Sequence, residues 1–293
     1  MNALPPPVAD HLRSLLHARQ IDARPVHGGS IHSALHIRAG GRELFLKLGR
    51  GEQARASLEA EHDGLHRLAR LDGVRVPIPL ALATRDDWTW LALPWIDTGP
   101  ARLDHRVGEL VATLHDHSAR SFGLERDNCI ALLHQPNPPH DCGDTFWARH
   151  RLRYGCRLAR EAGALHTEDE EPVLRLADLL ESDRLPAPRG PVWLHGDLWQ
   201  GNVLVDTAGL PWLIDPAVYA GDPRVDLAMA RLFGGFEPSF FDAWYATHGR
   251  RPDDDLRDRI LVLWPLLVHA ALFGASYGRQ TGRVARQALA ALT

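Results

Sequence analysis

Two carboxylates and an amide, held between apolar runs, are the groups in this chain best suited to chemistry. They lie in Val192-Trp-Leu-His195-Gly-Asp197-Leu-Trp199-Gln-Gly-Asn202-Val-Leu-Val205, which is followed by Pro211-Trp-Leu-Ile-Asp215-Pro216. The apolar flanks predict short strands that display the polar residues on loops. Asp197 and Asn202 stand five apart, and Asp215 follows the second strand, an arrangement suited to phosphoryl transfer. That reaction needs cations to offset phosphate charge and a carboxylate to orient the attacking hydroxyl. Magnesium takes hard oxygen ligands and few of them from protein, so Asn202 and Asp215 are the expected metal pair. Asp197 is then the expected acceptor of the substrate proton. Singly, each residue would read as a turn cap; the joint pattern is what predicts catalysis.

The chain has 33 Lys+Arg, and Lys47 is its only lysine. A compact ammonium and a planar guanidinium are not interchangeable, so a lone lysine among arginines invites a reason. Lys47 falls on a strand-like segment with Phe45, Leu46 and Leu48, where a phosphate-binding lysine would sit. Glu61, on the helical stretch that follows, is its preferred ion-pair partner. Glu59 is the alternative, since a helix presents only one of the two inward. Gly28-Gly29-Ser30 precedes that strand region and could cover phosphates with backbone N–H groups. It is not a GxGxxG, and no GxxxxGK[ST] occurs, so neither a P-loop nor a dinucleotide fold is supported. His32 and His36, four apart, lack the further ligands a zinc site needs.

These residues require a scaffold. A helix is expected over Asp10–Gln20, strands over Ser33–Arg38 and Leu44–Leu48 around a Gly40-Gly41 turn, then a helix over Glu52–Leu71. Leu80–Thr84 and Trp88–Pro94 read as two more strands. Beyond Pro100 helical patterns dominate, over Leu103–His117, Thr145–Ala162 and Glu168–Glu181, interrupted by the strand-rich stretch from Val192 to Ile214. Ile260–Ala275 reads as one buried helix, too short for a membrane span. The expectation is an α+β, bilobal, protein-kinase-like fold. Residues 1–96 would form an N-terminal antiparallel-sheet, nucleotide-binding lobe with a helix. Residues 97–293 would form a larger, mostly helical catalytic and substrate-binding lobe.

Composition excludes several classes. A formal charge of −4 argues against a nucleic-acid binder. The three cysteines lie far apart with no CxxC, and the amino terminus lacks the apolar core of a signal peptide. A cytoplasmic protein without membrane attachment is expected. Nothing speaks to oligomeric state, and a monomer is the default.

The chain resembles the fructosamine (ketosamine) kinase family, a branch of the aminoglycoside-phosphotransferase-like kinases. The likeness rests on His195-Gly-Asp-Leu-Trp-Gln-Gly-Asn202, Ile214-Asp-Pro-Ala-Val-Tyr-Ala-Gly-Asp222, Asp226-Leu-Ala-Met and Leu232-Phe-Gly-Gly-Phe236. Glu59-Ala-Glu-His-Asp-Gly-Leu65, Asp127-Asn-Cys-Ile130 and Gln135-Pro-Asn137 add to it. The resemblance implies ATP- and Mg²⁺-dependent phosphorylation of a sugar hydroxyl on a ketosamine, free or on a glycated amine, with release of the amine as repair of glycation. It also implies that Leu93 to Trp95 form a hinge binding adenine through backbone groups. Asp226 resembles a buried aspartate bracing the catalytic loop, a role compatible with a helix N-cap. Ser30 stands where family members often carry cysteine, so thiol-based control there is not expected. For acceptor contacts, Trp199 could wall the sugar and His195 or Asp222 could reach a hydroxyl or amine. Packing for Trp199 and structural hydrogen bonding for His195 are equal alternatives. An aminoglycoside- or choline-type small-molecule kinase and a nucleotide-binding pseudokinase are the competing functions.

Overall fold

The computed structural model describes residues 4–26, 32–100, 102–182, 184–185 and 187–292. The chain forms two compact units. The first comprises residues 1–102, 128–132 and 201–217, and the second comprises 103–127, 133–200 and 218–293.

The first unit is built on a five-stranded antiparallel sheet. Its strands are β1 (Asp22–Pro25), β2 (Ser33–Ala39), β3 (Arg42–Arg50), β4 (Ala81–Arg85) and β5 (Trp88–Pro94), in the order β1-β2-β3-β5-β4. The period-two pattern of β3 decides its two faces. Leu44, Leu46 and Leu48 pack with Ile37, Trp90 and Ala92 against Val8, Leu12 and Leu16 of helix α1 (Pro6–Leu16). Phe45 and Lys47 therefore point the other way, with Lys47 opposite Ala34 on β2 and Leu91 on β5. Helix α2 (Glu52–Leu68) follows β3. A hairpin of Val203–Val205 with Pro211–Leu213, in register Val203 to Leu213, completes the unit.

α1 starts at Pro6, four residues earlier than expected, because prolines are well tolerated in a first turn, where no N–H needs an acceptor. It ends at His17, whose φ of 50° breaks the helix.

The second unit is mostly helical. Helices α3 (His105–His115), α4 (Gly143–Trp147), α5 (Tyr154–Glu161), α6 (Thr167–Leu180), α7 (Arg224–Phe233) and α8 (Pro238–His248) are followed by α9 (Asp254–Leu261), α10 (Leu263–Phe273) and α11 (Ala275–Ala290). The expected helix over Thr145–Ala162 is interrupted by a π-helical stretch, Ala148–Arg153. That stretch carries the fully buried Arg151, whose guanidinium lies 4.2 Å from the Tyr219 ring centroid and donates to Pro136 O and Asn137 Oδ1. The single helix expected over Ile260–Ala275 instead ends at Gly274, with Ala275 opening α11, and is parted within at Val262. Pro265 cannot donate to the Leu261 carbonyl and its ring crowds that carbonyl, so the helix resets there.

α3 and α8 touch through Gly108, where a Cβ would lie 2.2 Å from the Phe240 carbonyl oxygen. Gly108→Ala is expected to force these helices apart and lower stability by about 1–3 kcal/mol, read from the urea midpoint.

Candidate active site

The sequence-predicted residues fall into two groups, one in each unit. In the first, β3 delivers Lys47 and α2 delivers Glu61, both under a tenth exposed. Lys47 Nζ lies 2.8 and 2.9 Å from the two Glu61 oxygens. Helix rotation decides the pairing left open by the sequence: Glu59 is solvent-facing and pairs with Arg55 at 2.8 Å. Lys47 also donates to Asp215 Oδ1, across 168 positions of sequence.

Asp215 and Asn202 are brought to Lys47 by the short hairpin. Asn202 immediately precedes its first strand, and Ile214 N donates to Asn202 O at 3.0 Å just past its second. Asn202 Nδ2 approaches the Asp215 carbonyl at 3.5 Å. Asp215 itself has φ of 55°, in the left-handed region. Aspartate tolerates that region better than most residues, and such outliers concentrate at functional sites.

The electrostatics of this group follow from one ammonium against two carboxylates. Burial works against charge on Lys47, yet the Asp215 and Glu61 carboxylates prevail and hold its pKa above the usual lysine value. Burial, aided by Asp215 and opposed by Lys47, pushes Glu61 up to about 7. The surplus of carboxylate charge, with the Asp215 carboxylate and the Asn202 amide as hard oxygen donors, fits a magnesium ion and the phosphates it would carry.

In the second unit, the loop bearing Asp197 is held by Asp226 in the first turn of α7. Asp226 is wholly buried and accepts from His195 N at 2.8 Å and Gly196 N at 2.9 Å. It also faces His115 Nε2 at 3.1 Å. Trp244 Nε1 donates to His115 Nδ1 at 2.9 Å, and an indole can only donate, so the His115 proton sits on Nε2 and points at Asp226. Burial alone would raise the Asp226 pKa, but these donors hold it below the ordinary carboxylate value. Leu194 N donates to Tyr219 O at 3.0 Å, which ties the strand entering the loop. Asp197 is half-buried, and its N–H donates to His195 Nδ1 at 3.3 Å.

Sequence reasoning placed Asp226 at the loop but did not find His115 and Trp244. No local pattern links His115 to a residue 111 positions away.

Three residues suggested as acceptor contacts differ in what they can offer. Trp199 is half-buried. His195 is fully buried beneath the loop. Asp222 is 5% exposed, and its oxygens accept from Arg189 N and from Arg224 N, Nε and Nη2 at 2.7–3.0 Å. Asp222 thus takes the backbone N–H of Arg224, the first residue of α7, ahead of the Pro223 N-cap, and would have to surrender these partners to reach a substrate.

Leu93 is buried near the end of β5. Trp95 follows that strand, donating from its N–H to Glu43 O at 3.4 Å and stacking on His36 with ring centroids 3.7 Å apart. Gly28, Gly29 and Ser30 lie outside the described residues.

The antiparallel sheet with its lysine–glutamate pair and the helical unit with its braced loop define a kinase-like phosphotransferase. Comparison with known proteins agrees. Residues 7–291 match the model of the fructosamine kinase family, and the chain belongs to that family. It is 35% identical to a probable ketoamine kinase of Synechocystis sp. over 92% of this chain and 90% of that protein. A candidate fructosamine-3-kinase of Thermobifida fusca superposes with a TM-score of 0.81 at 31% identity, covering 97% of this chain and 98% of that one. The aminoglycoside phosphotransferase APH(4)-Ia, at 14% identity and a TM-score of 0.62 over 97% of each chain, shares the fold. Among the described residues, no helix is long and apolar enough to cross a membrane.

Proposed function

We propose that the chain transfers the γ-phosphoryl group of Mg²⁺-bound ATP to a sugar hydroxyl of a ketosamine, in repair of glycated amines. The observation that carries this reading is the convergence of Lys47, Glu61, Asn202 and Asp215 in a member of the fructosamine kinase family. Related proteins bear the same indication, being described as ketoamine or fructosamine-3-kinases. APH(4)-Ia has been solved with ADP and hygromycin B, in keeping with a nucleotide and a small acceptor.

In this reading residues 1–96 bind nucleotide and residues 97–293 carry catalysis and acceptor binding. Lys47, oriented by Glu61, holds the α/β-phosphates. Asn202 and Asp215 hold magnesium, which offsets charge on the transferring group. Asp197 accepts the proton of the acceptor hydroxyl. Leu93 to Trp95 contact adenine, and Gly28, Gly29 and Ser30 cover the phosphates. Trp199 walls the acceptor sugar, while His195 and Asp222 support the loop and the helix that carry Asp197 and Asp226.

A coupled ADP-release assay with Mg-ATP tests the acceptor. Ribulosyl-lysine and fructosyl-lysine are expected to be turned over, with an aminoglycoside and choline inert. Turnover of either of the latter without the ketosamines would overturn the assignment. Lys47→Arg should lower kcat/KM for ATP by at least about tenfold despite the retained charge, because the planar fork cannot take the place of a compact ammonium between two carboxylates. Wild-type kinetics for that variant would remove Lys47 from the phosphate site.

A further inference from the structure

His32, set aside above as a metal ligand, takes part in a different arrangement. Its Nε2 lies 3.2 Å from Ser57 Oγ on α2, and Ser57 Oγ donates to Ala131 O at 3.1 Å. A hydroxyl has one proton to give, so Ser57 spends it on Ala131 and His32 Nε2 must be the donor to Ser57. Burial, with the Lys47 charge and against Asp215, lowers the His32 pKa and favours this neutral ring.

Two backbone features serve the same contact. Ala131 has φ of 56°, a left-handed conformation that is unusual for a side chain with a Cβ. Gly49, two residues past Lys47 on β3, lies so close that a Cβ there would stand 2.9 Å from His32 Nδ1 and 2.6 Å from Ala54 Cβ. Absence of a side chain at Gly49 lets the histidine ring and the start of α2 approach the strand together.

Ser57 and Glu61 are one turn apart, four residues along the same face of α2. Fixing Ser57 between His32, just ahead of β2, and Ala131 of the Asn128–Leu132 segment therefore fixes the rotation of the helix at the turn before Glu61. We infer that the His32–Ser57–Ala131 hydrogen-bond relay aims Glu61 at Lys47, making His32 and Ser57 positioning residues for phosphoryl transfer. The kinetic consequence rests on the roles proposed above for Lys47 and Glu61; the geometric one does not.

Lys47 is the sole lysine, so an amine-reactive ester, with its adducts mapped to the peptide containing Lys47, reports on how well Glu61, together with Asp215, shields it, and only the Glu61 share depends on the relay. The test compares Ser57→Ala, His32→Phe and Ser57→Thr with the wild-type chain, without nucleotide. Ser57→Ala and His32→Phe are expected to raise the labelling rate of Lys47 about 3- to 10-fold, the scale of one or two lost hydrogen bonds. KM for ATP should rise by a similar factor, while the urea midpoint should fall by no more than one or two lost hydrogen bonds account for. Ser57→Thr, which keeps the hydroxyl, should restore both readouts. Unchanged labelling in both Ser57→Ala and His32→Phe would overturn the inference, as would a rise that tracks lost stability and is not rescued by threonine. Should Ser57→Ala fail to fold, His32→Phe decides alone. Labelling needs no acceptor, so failure of the ketosamine reading would leave this result interpretable.

Discussion

Asp197→Asn is expected to give a folded protein that still binds Mg-ATP but turns over about 10²- to 10⁴-fold more slowly, the contribution of a positioned base. The substitution is nearly isosteric, and Asp197 contributes its backbone N–H, not its side chain, to the contact with His195 Nδ1. The Asp226 contacts that brace the loop go to His195 N and Gly196 N, which the change leaves intact. What disappears is a carboxylate able to accept the proton of the acceptor hydroxyl. Nucleotide affinity by calorimetry and turnover by ADP release separate the two effects. Near-normal turnover would remove Asp197 from the reaction. Loss of ATP binding together with turnover would point to a structural fault instead.

Asp226→Asn should lower both stability and turnover. The wild-type carboxylate meets three donors, His195 N, Gly196 N and His115 Nε2, in a fully buried position. An amide has one oxygen, and its NH₂ group turns a fourth donor toward that set. At least one buried N–H then lacks an acceptor, at a cost of about 1–3 kcal/mol. Asp197 directly follows the displaced segment, and a shift on the order of 1 Å at a reacting group costs about 10²-fold in rate.

The pH dependence has a definite sign. A carboxyl held below its ordinary value stabilises the fold fully above about pH 4, and that contribution is lost as pH falls through its lower folded value. The wild-type urea midpoint should therefore drop on acidification below about pH 4 more steeply than that of Asp226→Asn. Parallel acid profiles would show that Asp226 is not ionised in the native state.

Some of this was open to inspection in the linear chain because the chemistry is local. The Asp197-x4-Asn202 spacing and Asp215 past the next strand are set by a loop and a short hairpin, and hairpins are specified by neighbours in sequence. Lys47 stood out through composition alone, as one lysine among arginines on a strand-like segment; that it faces away from α1 came with the packing of Leu44, Leu46 and Leu48 on that helix. Four of the sheet's five strands followed from period-two patterns and a Gly-Gly turn, whereas the short β1 and the order of the strands came only with the structure.

What the tertiary structure decided was partnership across distance. Glu59 and Glu61 have equal chemistry, and only the rotation of α2 against the sheet assigns Glu61 to Lys47. Asp222 looked available until Arg189 and Arg224 closed around it, and Asp226 gained His115 from 111 positions away. The π-helical stretch around Arg151 likewise answers to packing that no helical periodicity encodes. The reason is physical: residue spacing governs conformation over a turn or a hairpin, whereas the partner of a buried polar group is whichever donor or acceptor the packed core brings within about 3 Å.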